Sequence, residues 1–244
     1  MIEIRPLTER EDLKTVVRLQ RQIWGFEDVD LIPLRLFVVA TKIGGQVFGA
    51  FDGREMVGFC MAIPGLKAGG KTYLHSHMLG VLQDYRNAGV GRLLKLTQRD
   101  DALRRGIQLI EWTFDPLEIK NAFFNMERLG AIVRRYVPNQ YGTTSSPLHG
   151  GLPTDRCIAE WWIASPRVKA ITAGQPFERA KVEMRVAIPA DIASIRSTDR
   201  ARAGEIQKTA SEHFRAAFDR ELAVIGFEKS EEAGTYLFGV WESA

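Results

Sequence analysis

The segment HSHMLGVLQDYRNAGVGRLLKLTQRDDALRRG, residues 75–106, decides the fold of this 244-residue chain. It predicts a strand, a tight turn that carries glycines, and a helix that begins near Gly89. Because glycine has no Cβ, the turn Arg86–Gly91 can curve closely around an anion. The first amides of a helix lack partners inside the helix, and the helix dipole places partial positive charge there. The segment therefore predicts a site for a phosphate or a pyrophosphate.

Two common phosphate-binding motifs do not fit this turn. A P-loop requires a Lys followed by Ser or Thr after its glycines, and no such pair follows Gly91. The dinucleotide fingerprint requires a third glycine where this chain has Leu94. A different phosphate motif remains, as does a strand-to-helix connection that binds no ligand.

The sixteen residues LGVLQDYRNAGVGRLL, 79–94, resemble the acetyl-CoA motif of the GNAT N-acyltransferases, roughly L-A-V-x-P-x-Y-R-x-x-G-x-G-x-x-L. Gln83 occupies the position of the proline. The resemblance implies that acetyl-CoA or another acyl-CoA is the co-substrate. It implies that the backbone of Val81 binds the pantetheine arm. The residues implied to cradle the pyrophosphate are Arg86, Asn87, Ala88, Gly89, Val90, Gly91 and Arg92.

The order of elements predicts an α/β (α+β) chain of two parts. Residues 1–142 have the order β-α-(α)-β-β-β-α-β-α-β, which resembles a GNAT domain with a mixed central sheet and flanking helices. Residues 143–244 predict a C-terminal α/β extension without a recognisable chemical motif. This extension packs on or completes the GNAT sheet, covers the acceptor pocket, or forms a homodimer contact.

Three local signals refine the first part. Asp52-Gly53 between two apolar runs predicts a hairpin. Gly80 inside a strand predicts a bulge or a close approach of another group to the backbone. Thr8 and Glu11 predict a capping box at the start of the first helix.

His75 and His77 are the predicted catalytic bases. At positions i and i+2 of a strand, they are expected on one face of the sheet. An imidazole with a pKa near ~6.5 can accept a proton at neutral pH. The pair is similar to the serotonin N-acetyltransferase branch of GNAT, where two histidines on this strand are thought to deprotonate the amine through water. The alternative is that one or both are structural histidines.

The chain departs from the family pattern at the usual general acid. Many GNAT helices carry a Tyr four residues before a Gly, and this chain has Met126 at that distance from Gly130. The nearby polar candidates are Asn121, Asn125, Tyr136 and Tyr141. We predict Tyr141 as the proton donor to the leaving thiolate and Asn121 as a further residue that contacts the co-substrate.

These motifs favour an acyl-CoA-dependent N-acyltransferase that acts on a small amine or amino acid. Two other interpretations are a CoA-binding module without turnover, suggested by Met126, and a protein N-acetyltransferase. A net charge of +3 with scattered basic residues gives no reason to expect a nucleic-acid partner. The two cysteines lack metal-ligand spacing, so no metal is expected. Without a long apolar run or a signal-peptide core, the expected place is the cytoplasm and no membrane partner is expected.

Overall fold

A computed structural model describes residues 1–142 and 151–241. The chain divides into two compact units, residues 1–111 and 112–244. The predicted division into domains at residue 142 stays a prediction, because a boundary between sequence domains need not coincide with one between compact units. Residues 143–150 and 242–244 of the predicted extension lie outside the described residues.

The first unit contains a mixed sheet. Its strands are β1 (Ile2–Pro6), β2 (Gln46–Asp52), β3 (Glu55–Leu66), β4 (Thr72–Val81) and β5 (Leu109–Phe114), whose last three residues belong to the second unit. Neighbours in the order β1-β2-β3-β4 pair antiparallel. β5 joins β4 in parallel through the pairs Leu74–Ile110 and His75–Glu111.

Helices cover both faces of this sheet. Helices α1 (Arg10–Trp24) and α2 (Leu34–Lys42) pack on one face, in a buried cluster that includes Phe59, Met61 and Met78. Helix α3 (Val90–Arg104) packs on the other face, where Val90 and Leu94 contact the cluster around Cys60. The predicted α/β class with a mixed sheet and flanking helices is thus confirmed.

Two of the local predictions have different outcomes. The Asp52-Gly53 hairpin is confirmed, since β2 and β3 pair directly across it and Gly53 has a φ of 57°. The capping box is wrong, because α1 begins one residue later than that motif requires. Glu9 is the N-cap residue, without a side-chain cap, and Thr8 Oγ1 lies 3.5 Å from the Glu9 carboxylate instead of capping an amide of α1.

The second unit has its own strands and helices. Its strands β6 (Ile132–Val137), β7 (Arg156–Trp162), β8 (Met184–Pro189), β9 (Leu222–Lys229) and β10 (Ala233–Val240) lie in the order β7-β6-β9-β10-β8. Its helices are α4 (Ile119–Phe123), α5 (Pro166–Thr172), α6 (Ile192–Thr198) and α7 (Arg200–Asp219). Phe214 of α7 packs edge-on against Tyr236 and Phe238 of β10, which places the aromatic core beneath α7. None of the helices in the described part of the chain is long and apolar enough to cross a membrane.

Candidate functional site

The turn before α3 has the backbone of an anion-binding loop. Asn87 and Gly89 both adopt left-handed conformations, with φ of 63° and 84°. The first helical bond runs from the Leu93 amide to the Gly89 carbonyl, so the amides of Val90 and Gly91 precede the hydrogen-bonded ladder. Among the described residues, no side chain caps this helix start. The amides and the dipole of α3 therefore remain directed at the position where an anion would bind.

Arg86 fixes the turn to the rest of the unit. Its Nε donates to the Val81 carbonyl at 3.1 Å, and its Nη2 donates to the Ile23 carbonyl at 3.3 Å. The turn is thereby joined both to the end of β4 and to α1. A carbonyl has two lone pairs, so the Val81 carbonyl has the capacity to accept a second hydrogen bond besides that of Arg86.

The rest of the turn leaves room for a pyrophosphate. Ala88 and Gly89 are exposed, and a Cβ added at Gly89 would meet no atom within 4 Å. A Cβ at Gly91 would lie 3.5 Å from Leu79 Cδ2, an ordinary contact, so the protein itself does not demand glycine there. Val90 is buried against the sheet and Arg92 is half-buried. The exposed backbone and the open space at Gly89 are the features that a diphosphate cradle requires.

Strand β4 carries a bulge at His77. In the β3–β4 ladder Met78 faces Met61 and Ser76 faces Ala62, so His77 is an extra residue without a β3 partner. Of the two alternatives predicted for Gly80, a bulge or a close approach to the backbone, the second is confirmed. The Trp24 ring lies so close that a Cβ at Gly80 would be 2.7 Å from it.

The bulge changes the alternation of β4. His75 pairs with Ile63, which packs on the α1 and α2 side, while Ser76 is hydrogen-bonded to α3 on the other side. Met78 again packs on the α1 and α2 side, so the period of two breaks between Ser76 and Met78. The two imidazole rings lie next to each other, with 6.0 Å between their centroids, which agrees with the predicted shared face.

Both histidines are held neutral near pH 7. Burial lowers the pKa of His75 to about 4, and the positive charges of His77, Lys95 and Lys67 add to that effect. His77 is more exposed, yet neighbouring atoms remove enough water to lower its pKa as well. Neutral imidazoles can accept a proton, so both residues have the protonation state that a general base requires.

An ion pair with a buried carboxylate, which the sequence did not predict, adjoins His75. Glu111 lies opposite His75 across β4 and β5 and is 3% exposed. Lys67 Nζ donates to both of its carboxylate oxygens at 2.7 Å and lies 4.7 Å from the centre of the Tyr73 ring. The partners are 44 residues apart, and no local pattern connects them.

The remaining predicted site residues belong to the second unit. Tyr141 is 47% exposed, its hydroxyl lies 3.1 Å from Thr113 Oγ1, and the Arg156 guanidinium lies 5.5 Å from its ring centre. Asn121 is exposed on α4. The first unit therefore holds the two histidines, Val81 and the turn, whereas Tyr141 and Asn121 are part of the second.

Two of the other polar candidates, Asn125 and Tyr136, are less accessible than Tyr141. Met126, at the usual Tyr position, is fully buried in a π-helical turn, Phe124–Arg128, and Asn125 beside it is 4% exposed. Tyr136 donates to Asp155 Oδ2 at 2.6 Å, and burial together with that carboxylate raises its pKa. Tyr141 is therefore the more exposed of the two candidate tyrosines. Among described residues, no three His, Cys, Asp or Glu side chains form a metal-binding group.

Comparisons with known proteins agree with this architecture. Residues 13–130 match the family model described as Acetyltransferase (GNAT) family. No curated protein sequence matches the chain. The ribosomal-protein-S18-alanine N-acetyltransferase from Escherichia coli is 20% identical, with a TM-score of 0.53 over 68% of this chain and 96% of that one.

Two further structures were solved with acetyl-CoA. The yncA protein from Salmonella typhimurium is 16% identical, with a TM-score of 0.55 over 68% of this chain and 95% of that one. Arabidopsis thaliana NAA60 is also 16% identical, with a TM-score of 0.54 over 66% of this chain and 99% of that one. At these identities the likeness concerns the fold.

Proposed function

Residues 13–130 of this chain form an acetyltransferase domain of the GNAT family, and from that premise we propose that the protein is an acyl-CoA-dependent N-acyltransferase for a small amine or amino acid. The observation that carries the proposal is the left-handed turn at Asn87 and Gly89 before α3, on the same β4–turn–α3 segment as a pair of neutral histidines. Acyl-CoA supplies the activated thioester and the turn holds its diphosphate.

His77 is the proposed general base. A base works best when its pKa lies near the operating pH, because it must both accept and release the proton. The pKa of His75, at about 4, makes that residue a poor proton acceptor near neutrality. His77 is more exposed, so a proton that it accepts can pass on to water. His75 then supports the neighbouring ring and does not take the proton itself.

The leaving thiolate needs only limited help. A CoA thiol has a pKa of the same order as a free cysteine, ~8.5, so its thiolate is a tolerable leaving group. Tyr141 is the proposed proton donor, supported by its exposed ring and by its hydroxyl contact with Thr113. Asn121 is proposed as a further contact to the co-substrate.

One assay separates this proposal from the two alternatives. Release of CoA is measured with acetyl-CoA and succinyl-CoA against a panel of small amines, amino acids and peptides with free N-termini. A reaction without acceptor is the control for thioester hydrolysis. Release with small amines supports the proposal, and release with peptides alone indicates a protein N-acetyltransferase. If calorimetry detects CoA binding but no acceptor releases CoA, the protein is a binding module and the enzyme proposal fails.

A further inference from the structure

Lys95 lies in the core between α3 and the sheet. Its side chain is 3% exposed, and its Nζ donates to Ser76 Oγ at 2.8 Å and to Gln98 Oε1 at 3.3 Å. Ser76 Oγ in turn donates to Gln98 Oε1 at 3.0 Å. The buried thiol of Cys60, on β3, is a titratable group that interacts electrostatically with the Lys95 amine. These contacts form a buried polar group of three side chains that the proposed reaction does not use.

A lysine is costly to keep in such a place. Burial lowers the pKa of Lys95 to about 7, and the Cys60 thiol opposes this only in part, since burial raises its own pKa to about 12. An apolar side chain would fill the same volume without this desolvation penalty. An apolar residue at position 95 would, however, lose the hydrogen bond to Ser76.

The partner of Lys95 occupies a special position in β4. Ser76 stands between His75 and the bulged His77. Its side chain is hydrogen-bonded to α3, and this bond fixes the backbone of β4 on the α3 side at that residue. The extra residue of the bulge, His77, follows directly. Helix α3 begins at the proposed CoA turn, so one rigid element supports both the turn and the bulge.

We infer that Lys95 is a positioning residue: through Ser76 it holds the β4 bulge and thereby the orientation of the His77 imidazole. The inference rests on the proposed function, in which His77 accepts the proton of the acceptor amine. Lys95 itself does not touch the reacting atoms, because it lies in the core on the α3 side.

The test compares Lys95→Met and Ser76→Ala, singly and together, with Leu94→Ala as control. Leu94 is a fully buried neighbour on α3, so Leu94→Ala loosens the same packing and leaves the Lys95–Ser76 bond in place. The first readout is the NMR titration of the His77 imidazole. Ser76→Ala keeps the Lys95 side chain in place, so a changed His77 titration in this variant reports the bulge and not the removal of the lysine. The second readout is kcat together with KM for acetyl-CoA.

We expect both single variants to move the pKa of His77 up toward its ordinary value of ~6.5, as the bulge relaxes and the ring gains water. Both should lower kcat by ~10-fold or more with little change in KM for acetyl-CoA, and the double variant should be no worse than either single one. Leu94→Ala should leave the His77 titration as in the parent.

Two results would overturn the inference. One is an unchanged His77 titration in Ser76→Ala, which remains decisive even where Lys95→Met does not fold. The other is an equal change in Leu94→Ala, which would mean general loosening of the core. If none of the tested acceptors causes the parent protein to release CoA, the proposed function fails. The His77 titration still decides whether Lys95 holds the bulge.

Discussion

Lys67 binds both carboxylate oxygens of Glu111, each at 2.7 Å, beside the histidine pair of β4. Removing one partner of a buried ion pair leaves the other charge without its compensation, which costs more than the pair itself contributes. The Lys67 side chain is 31% exposed, so water offsets part of that loss.

We expect Lys67→Met to lower the free energy of unfolding by about 2 kcal/mol, less than for a fully buried pair. The same change removes a cation that depresses the pKa of His75, so that pKa should rise. Urea unfolding and NMR titration measure the two effects. Lys67→Met/Glu111→Gln is the matched control and should regain most of the stability. A double variant as unstable as the single one would mean that the ion pair is not the cause.

The Gly91→Val variant tests the turn as a CoA site. The protein itself tolerates a Cβ at this position, as the 3.5 Å distance to Leu79 indicates, so the variant should fold. A branched side chain would stand where the backbone must approach the diphosphate. We expect CoA affinity to fall by ~10-fold or more, equivalent to about 1.4 kcal/mol. Isothermal calorimetry measures it, and unchanged affinity in a folded variant would rule out this turn as the site.

Gly89→Ala and Gly106→Ala form a matched pair for the same turn. Both glycines have left-handed backbones, with φ of 84° and 74°, and both have open space where the Cβ would be. Either substitution costs ~1 kcal/mol of backbone strain. Only the one at Gly89 lies in the turn, so only that variant should weaken CoA binding. Equal weakening in both would indicate that strain in α3 is responsible.

How far the sequence predicts this site depends on the distance between the residues concerned. The turn and the Asp52-Gly53 hairpin were predictable because a few adjacent residues determine each backbone. The bulge at His77 was not, since no nearby glycine marks it, and the glycine at residue 80 instead makes room for the Trp24 ring. The His75 and His77 rings are neighbours, as predicted, and the single extra residue of the bulge breaks the alternation only before Met78.

The supporting charges were beyond local patterns. Lys95 and Ser76 are 19 residues apart in different elements. In the sequence, nothing distinguishes Lys95 from the other basic residues of α3. The capping box predicted at Thr8 was wrong for a related reason. The spacing Thr-x-x-Glu is necessary for a capping box, but the residue at which the helix begins decides whether the hydroxyl reaches an amide. That start is set one residue later, at Arg10.

His77→Ala tests the proposed general base. General-base assistance is typically worth ~10²–10⁴ in rate, so kcat/KM should fall by about that factor near neutral pH. At higher pH the acceptor amine is already neutral, so the loss should shrink. The comparison is a rate profile from about pH 6 to about pH 10 for parent and variant. A loss of equal size across that range would assign His77 a structural role.

His75 makes stability depend on pH. Its folded pKa, about 4, lies below the unfolded value, so between these values the unfolded chain binds more protons. Stability should therefore fall as the pH falls from ~6.5 to about 4, by up to ~3 kcal/mol for this group. Urea unfolding at several pH values compares the parent with His75→Gln, in which the other titrating groups are the same. Parallel curves for the two proteins would contradict the expected burial of His75.

Tyr141→Phe tests the proton donor, with Tyr136→Phe as its matched control. Each substitution keeps the ring and removes one hydroxyl. The Tyr136 hydroxyl donates to Asp155 at 2.6 Å in a half-buried position, so its loss should lower stability by ~1 kcal/mol and leave the rate profile of the folded enzyme unchanged. The Tyr141 hydroxyl is accessible and contacts Thr113 Oγ1, so its loss should affect stability little. If it protonates the thiolate, Tyr141→Phe should lower kcat by ~10-fold or more, with CoA affinity retained and the high-pH limb of the profile displaced. Because a thiolate with a conjugate-acid pKa near ~8.5 can leave without a proton, a Tyr141→Phe variant with parental rate and profile would make water the donor.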